Sequence, residues 1–228
     1  MIYLKEFATQ AEYDAFVASG QMQRPNVSYI QETMAVEYKK PIQYGVFIQH
    51  IDGTLLTKEQ WQSKGYSNEL ANGVAIVDEK ASFVIAKVDV TSKVSWGPAI
   101  GVNNVSYSTL ESAATDYNGY ANTERMINKA SNMAKLCTEY IFPNNATGYV
   151  PAAGELYLVY SKYYSDVDAC LAIIGERFNA DFPIYWSSTE ASHDKAWVFR
   201  IDTNVMEPYS KSLWNITTVR AFTKLNIE

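Results

Sequence analysis

Two short, almost wholly apolar segments constrain the fold of this chain more than any other feature. Residues 73–77 (GVAIV) and 82–86 (SFVIA) flank a four-residue tip, DEKA. A strand with one face in water alternates apolar and polar residues, whereas a strand covered on both faces is apolar throughout. The sequence therefore predicts an antiparallel hairpin at the centre of a sheet, covered by other structure on both faces.

The middle of the chain is predicted to be helical. Residues 123–140 form one helix whose apolar stripe we assign to the core; the stripe consists of Met126, Ile127, Ala130, Met133, Ala134, Cys137 and Ile141. A short helical turn at 109–117 precedes it. A second helical region covers 153–164 and 167–178, with a break near Ser165 and Asp166, where Asp166 can act as a new N-cap. Helices followed by strands indicate an α+β fold with two main helices and a mostly antiparallel, twisted sheet.

The first 44 residues are predicted to form a small segment made of a strand, a helix and a hairpin, which precedes a main ligand-binding domain at 45–228. Thr9 and Glu12 have the spacing of a capping box that begins a helix ending near Ala18. Residues 27–30 and 35–38 are expected to pair as a hairpin. A unit of this size buries little apolar surface, so independent stability is not expected of it.

Residues 183–222 combine strand patterns with side chains typical of binding surfaces. Apolar residues recur at 185–186, 196–198 and 219–222, which predicts three short strands. Tyr and Trp offer large contact area at low entropic cost, and Ser and Asn offer adaptable hydrogen bonds. We therefore predict ligand contacts by Ser192, His193, Asp194, Phe199, Asn204, Met206, Tyr209, Ser210, Ser212, Leu213, Trp214 and Asn215. The alternative is an ordinary aromatic-rich sheet edge with its loops.

Charge and hydropathy exclude several kinds of partner. The net charge of −6 comes without a cluster of Lys and Arg, which argues against a nucleic-acid partner. No apolar stretch approaches the length of a membrane span, so membrane insertion is not expected. The sequence MIYLKEF lacks the features of a signal peptide, which leaves two alternatives: the protein stays in the cytoplasm until it is released in a phage particle, or a leader has been removed. Cys137 and Cys170 lie in apolar helical settings, which favours two buried free thiols over a disulfide.

Motifs for catalysis are absent from the sequence. The chain has two histidines, His50 and His193, and no zinc, nucleophile-elbow or phosphate-loop pattern. His193 and Asp194 fall within the predicted binding stretch, where contact with a ligand is the expected role. We therefore expect a protein that is not an enzyme and that uses no cofactor.

Several segments resemble one family. They are YWSST at 185–189, Ala196-Trp197, VRAF at 219–222 and, upstream, GYVPAAGEL at 148–156. Together they resemble the C-type lectin fold in its formylglycine-generating-enzyme-like branch, over about residues 70–222. Within that branch they are most similar to the variable proteins of diversity-generating retroelements of gut bacteria and their phages.

The resemblance implies a rigid scaffold with a hypervariable C-terminal binding face, on a virion tail or a bacterial cell surface. The ligand would be a protein or a glycan on a cell surface, and homo-oligomer formation is left open. Trp186, Trp197, Arg220 and Phe222 match the family frame, with Arg220 as a semi-buried charge that donates hydrogen bonds to backbone carbonyls. The reactive cysteines of the related enzymes have no counterpart at 183–222, which argues against that enzymatic activity.

The calcium motifs of true C-type lectins are incomplete in this chain. Glu207-Pro208 is followed by Tyr209, and Trp214-Asn215 is followed by Ile216, so each half-motif lacks an oxygen ligand that calcium needs. We expect no obligatory metal and predict a turn at Glu207-Pro208. Two alternatives to the binding protein remain: a structural tail or fibre component without a free ligand, and an enzyme of the formylglycine-generating type.

Overall fold

The computed structural model describes residues 2–5, 15, 18, 27–30, 35–39, 43–103 and 105–225. Its contacts divide the chain into two compact units, Met1–Gln43 and Tyr44–Ile227. In the first unit, β1 (Ile2–Lys5), β2 (Val27–Ile30) and β3 (Ala35–Lys39) form an antiparallel sheet in the order β1-β3-β2. The predicted pairing of 27–30 with 35–38 is confirmed, with Ile30 opposite Ala35. Thr9 and Glu12, which define the start of the predicted helix, lie outside the described residues.

One five-stranded sheet of the second unit contains the predicted central hairpin. Its strands are β4 (Gly45–His50), β5 (Leu55–Leu56), β6 (Ala71–Val77), β7 (Ser82–Ile85) and β13 (Phe222–Lys224), in the antiparallel order β13-β7-β6-β4-β5. Every residue of β6 is buried, as expected for a strand covered on both faces. A side chain at Gly73 would collide with the Ile85 carbonyl, so glycine permits the close approach of β7.

A second sheet carries most of the C-terminal stretch. It contains β8 (Thr91–Ser92), β9 (Ile184–Glu190), β10 (Lys195–Arg200), β11 (Val205–Ser210) and β12 (Thr217–Val219), in the order β11-β10-β9-β12-β8. Only the β12–β9 pair is parallel among these. The single strand predicted at 219–222 is wrong, because β12 ends at Val219 and β13 begins at Phe222 in the other sheet.

Arg220 occupies the crossing between the two sheets. Its guanidinium donates to Asp89 Oδ1 at 2.6 Å, to the Glu176 carbonyl at 2.9 Å and to the Arg177 carbonyl at 3.1 Å. The prediction that Arg220 donates hydrogen bonds to backbone carbonyls is confirmed, and its side chain is buried rather than semi-buried. Trp186, Trp197 and Phe222, the other predicted frame residues, are all buried.

The helix predicted at 123–140 is two helices, α3 (Gly119–Asn128) and α4 (Asn132–Glu139), which follow a short α2 (Leu110–Ala113). Ala130 has a φ of +61° and ends the first helix, and the Ser131 hydroxyl caps the second by accepting from Ala134 N. The change of direction removes three residues from the predicted core stripe. Ala130 is exposed, and Ile127 and Ile141 are 40% and 55% exposed.

The second helical region is irregular at a different place from the one predicted. The chain runs from α5 (Ala153–Leu158) through a π-helical turn (Val159–Tyr163) into α6 (Tyr164–Ile174). The predicted break at Ser165 and Asp166 is wrong, since both lie within α6. An earlier helix, α1 (Lys58–Lys64), follows β5 and is capped by Thr57. Both cysteines are free and buried, as expected.

Within the part of the chain that the structure describes, no helix combines the length and the apolar character needed to cross a membrane.

Candidate recognition surface

The edge strand β11 presents part of the predicted binding stretch. It pairs only with β10 in its sheet, and its residues alternate between exposed and covered positions. Glu207 and Pro208 lie inside this strand, with Pro208 opposite Trp197, so the predicted turn at Glu207-Pro208 is wrong. Proline lacks a backbone N–H and is accommodated on an edge strand because no further strand needs that donor.

The register between β10 and β11 brings two loops together. Lys195 lies opposite Ser210, and Lys211 N donates to the Asp194 carbonyl at 2.9 Å. The turn at 192–194 therefore lies beside the segment 209–215. We call the exposed and half-exposed side chains of these two segments the recognition surface. It consists of Ser192, His193, Asp194, Tyr209, Ser210, Ser212, Leu213, Trp214 and Asn215.

Three of the predicted contact residues lie elsewhere. Phe199 and Met206 are opposite one another on β10 and β11, and both are buried, at 3% and 7% exposure. Phe199 stacks on Tyr160 of the π-helical turn, so these two side chains belong to the core and their prediction as ligand contacts is corrected. Asn204 is exposed but lies at the opposite end of the β10–β11 hairpin. Five residues of strand separate it from Tyr209, which is about 17 Å at the usual rise of a strand.

A shallow, open depression lies within the recognition surface. Its volume is about 350 Å³, and its lining is Ser210, Ser212, Leu213, Trp214 and Asn215. The Ser210 and Ser212 hydroxyls are 2.9 Å apart. None of the five lining side chains carries a charge. The depression therefore offers one broad aromatic ring and several uncharged hydrogen-bonding groups to a partner.

Trp214 differs from the other tryptophans of the chain. Its side chain is 57% exposed, whereas Trp61, Trp96, Trp186 and Trp197 are all buried, at 4% exposure or less. A tryptophan ring in water leaves a large apolar area unburied, and burying that area against a partner would be favourable. Trp214 is thus the residue in the depression with the most to gain from contact.

Lys211 is fully buried in the middle of this exposed loop, and sequence reasoning missed it. Its ammonium forms an ion pair with Glu190, which is also fully buried. It donates further to the carbonyls of Ile100 and His193, each at 2.8 Å, and lies 4.4 Å from the centre of the Trp96 ring. Desolvation lowers the pKa of Lys211, and the Glu190 carboxylate opposes that shift. A lysine between serines carries no local sign of burial, so no sequence pattern could have identified it.

Ser192, His193 and Asp194 have the composition of a catalytic triad but not its arrangement. The Ser192 hydroxyl donates directly to Asp194 Oδ1 at 2.6 Å, and this hydrogen bond is the main reason that the pKa of Asp194 is lowered. His193 Nδ1 is 3.7 Å from the same oxygen, and its side chain is 76% exposed. A triad requires the imidazole between the hydroxyl and the carboxylate. Here the serine hydroxyl is hydrogen-bonded directly to the carboxylate, and the imidazole does not lie between them.

Glu155, on α5, is a buried acid with a strongly raised pKa. Burial raises the pKa of its carboxyl to about 8. Both of its oxygens are engaged within the fold: Tyr149 Oη donates to Oε1 at 2.8 Å, and Ala152 N donates to Oε2 at 2.7 Å. Gly119 packs so closely that a side chain there would collide with Oε2. Glu155 therefore caps α5 in the interior and lies apart from the recognition surface.

Among residues 43–103 and 105–225 and the described strands before them, no cluster of three or more His, Cys, Asp or Glu side chains is placed to hold a metal ion.

Comparison with known proteins gives a distant structural neighbour. No family model matches the chain, and no curated protein matches it. The fold is similar to the crystal structure of a fimbrial protein from Bacteroides ovatus ATCC 8483, with a TM-score of 0.50 and 14% sequence identity. The similarity covers 79% of this chain and 48% of the fimbrial chain, so this chain spans about half the length of that protein. At this identity the likeness concerns the fold alone.

Proposed function

We propose that this chain is a non-enzymatic binding protein displayed at a surface, and that it contacts its partner through the recognition surface. The observation that carries the proposal is Trp214, a largely exposed ring in an uncharged depression. Few residues usually supply most of the energy of an interface, and tryptophan and tyrosine are prominent among them. Trp214 would be the main anchor and Tyr209 a second aromatic contact, while Ser210, Ser212 and Asn215 would set hydrogen-bonding preferences.

The fimbrial neighbour supports the surface location loosely, through its fold. The more detailed part of the proposal rests on the resemblance of the sequence to the C-type lectin fold. The chain would be a lectin-like variable protein whose partner is a cell-surface protein or glycan, bound from a bacterial cell surface or a phage tail. The interior position of Glu155 and the arrangement of Ser192 with Asp194 support a role in binding rather than catalysis.

The experiment compares the wild-type chain with Trp214→Ala. Fluorescently labelled protein is applied to a panel of bacterial and epithelial cells, and bound fluorescence is measured by flow cytometry over a range of concentrations. Tyr157→Ala is the matched control, because Tyr157 is an aromatic residue of α5 that is 39% exposed and lies outside the recognition surface. We expect at least a tenfold loss of affinity with Trp214→Ala and no loss with Tyr157→Ala. Equal binding by both variants would contradict the proposal.

A second candidate function is suggested by the similarity in fold to a fimbrial protein: this chain would be a structural component of a fibre. In that case Trp214 would be buried between copies of the chain and no separate ligand would exist. Light scattering over a concentration series distinguishes the two. An assembly that Trp214→Ala converts to monomers supports the structural role, and a monomer at all concentrations supports the binding protein.

A further inference from the structure

We propose that the buried Glu190–Lys211 pair positions the recognition surface, although neither side chain contacts a partner. This inference rests on the proposed function. Glu190 is the last residue of β9, and Lys211 immediately follows β11, so the pair joins the ends of two strands of one sheet. Both side chains have no exposed surface. They lie directly beneath the loops that carry the candidate contacts.

Lys211 joins three segments through its three N–H donors. One donor goes to Glu190, one to the Ile100 carbonyl and one to the His193 carbonyl, which uses the full donor capacity of an ammonium group. The Lys211 backbone also takes part, since its carbonyl accepts from Trp96 N at 3.0 Å. The loop at 98–103, the turn at 192–194 and the depression are therefore held around one nitrogen atom.

Glu190 completes the arrangement from the other side. Its carboxylate accepts from Val102 N at 2.9 and 3.1 Å and from Asn103 N, in addition to the lysine. Apart from the ion pair itself, every one of these hydrogen bonds ends on a main-chain atom. The pair thus fixes the backbone paths of the neighbouring loops, and the side chains on those loops remain free to face outward.

Replacing the Glu190–Lys211 pair by uncharged residues distinguishes a positioning role from a purely stabilising one. A buried ion pair can often be replaced by apolar residues of similar volume without loss of stability. Such a replacement here would leave the carbonyls of Ile100 and His193 and the amides of Val102 and Asn103 without their partners. The scaffold would stay folded while the loops changed their paths, and loop mobility is therefore the quantity to measure.

The test is hydrogen exchange on wild type and on the double variant Glu190→Leu/Lys211→Met. We expect the amides of Val102 and Asn103 and those at 211–215 to exchange at least tenfold faster, with the amides of α6 unchanged. Acrylamide quenching of fluorescence gives a second readout, because Trp214 is the one exposed tryptophan of the five. Its quenching should change in the double variant. Lys195→Met, at an exposed position of β10, is the matched control and should change neither readout.

A folded double variant with wild-type exchange and quenching would overturn the proposal. If the double variant does not fold, Glu190→Gln is measured instead, because glutamine keeps the size of the side chain and removes its charge. Glutamine keeps one acceptor oxygen in place of two, so at least one contact to Asn103 or Lys211 is lost. Unchanged exchange at Val102, Asn103 and residues 211–215 together in that variant would overturn the proposal equally.

Neither readout needs a ligand, so this test is independent of the proposed function. Faster loop exchange together with unchanged cell binding would overturn the link between the pair and recognition. Failure of Trp214→Ala to reduce cell binding would count against the proposed function alone.

Discussion

Replacing Glu155 by glutamine should remove about 3 kcal/mol of the pH dependence of the free energy of unfolding between pH 5 and pH 8. Glu155 is buried on α5, and burial raises the pKa of its carboxyl from 4.5 to about 8. The folded protein therefore holds this carboxyl in its protonated form at neutral pH, whereas the unfolded chain ionises it. Asp116, another buried acid, adds to the elevation of the pKa through its charge.

The direction of the effect follows from proton linkage. Because the pKa is higher in the folded state, the contribution of Glu155 to stability is complete below pH 4.5 and declines as the pH rises toward 8. Integration of the linkage relation between pH 5 and pH 8 gives a loss of about 3 kcal/mol for the free energy of unfolding. That is a large part of the roughly 5–15 kcal/mol that stabilises a typical domain.

The assay is urea unfolding followed by circular dichroism at pH 5, 6, 7 and 8. The free energy of unfolding of wild type should fall by about 3 kcal/mol more than that of Glu155→Gln over this interval. Glu111→Gln is the control, since Glu111 is an exposed acid in the first turn of α2, and its pH profile should match wild type.

Parallel pH profiles for wild type and Glu155→Gln would refute the reasoning. They would mean that the carboxylate stays ionised inside the protein, stabilised by the donors Tyr149 Oη and Ala152 N. In that case hydrogen bonding to the charged form would outweigh its desolvation.

Three further predictions concern stability. Phe199→Ala should lower the free energy of unfolding by about 3–5 kcal/mol, whereas Trp214→Ala should change it by less than about 0.5 kcal/mol; the reverse order in urea unfolding would contradict the assignment of Phe199 to the core. Ala130→Gly should raise stability by roughly 0.5–1 kcal/mol, because Ala130 has a left-handed backbone conformation that favours glycine; a lower melting temperature would argue against this. Arg220→Met should cost about 3–5 kcal/mol in the same urea assay, because it leaves the largely buried Asp89 without its charged partner and with the Tyr185 hydroxyl as its remaining side-chain donor; a loss below about 1 kcal/mol would show that Asp89 is protonated or solvated.

The fold was predictable where one physical signal dominates. The apolar run of β6 predicts a central strand because only a strand covered on both faces can be apolar throughout. The helix break at Ala130 was not predictable, because alanine favours helices. The neighbouring Ser131 hydroxyl caps α4 and donates to the carbonyl of Trp96, which lies 35 residues away in the sequence. The π-helical turn has no signature in the amino-acid composition either. Two of its side chains make contacts with residues distant in the sequence: Tyr160 stacks on Phe199, and the Tyr163 hydroxyl donates to Asp78.

The sequence predicts which stretch of the chain carries the candidate site, but it predicts less well which side chains of that stretch are exposed. Ser210, Trp214 and their neighbours are exposed where the sequence indicates an irregular, polar and aromatic loop. Phe199 and Met206 fall in the same stretch, yet the burial of an aromatic or a methionine depends on which layer covers the strand. Lys211 is the opposite case, a charged residue that is buried although its neighbours in the sequence are exposed. Its burial depends on Glu190, which lies 21 residues away.

The main-chain character of the contacts made by Glu190 and Lys211 matters for protein engineering. Every residue supplies a carbonyl, and every residue except proline supplies an amide N–H. A combinatorial library randomised at the exposed positions of 192–194 and 210–215 would therefore leave these contacts available in nearly every member. Within such a library Lys211 should be held constant, and proline should be avoided at Val102 and Asn103, whose N–H groups are used. The same backbone could then be screened for many different binding specificities.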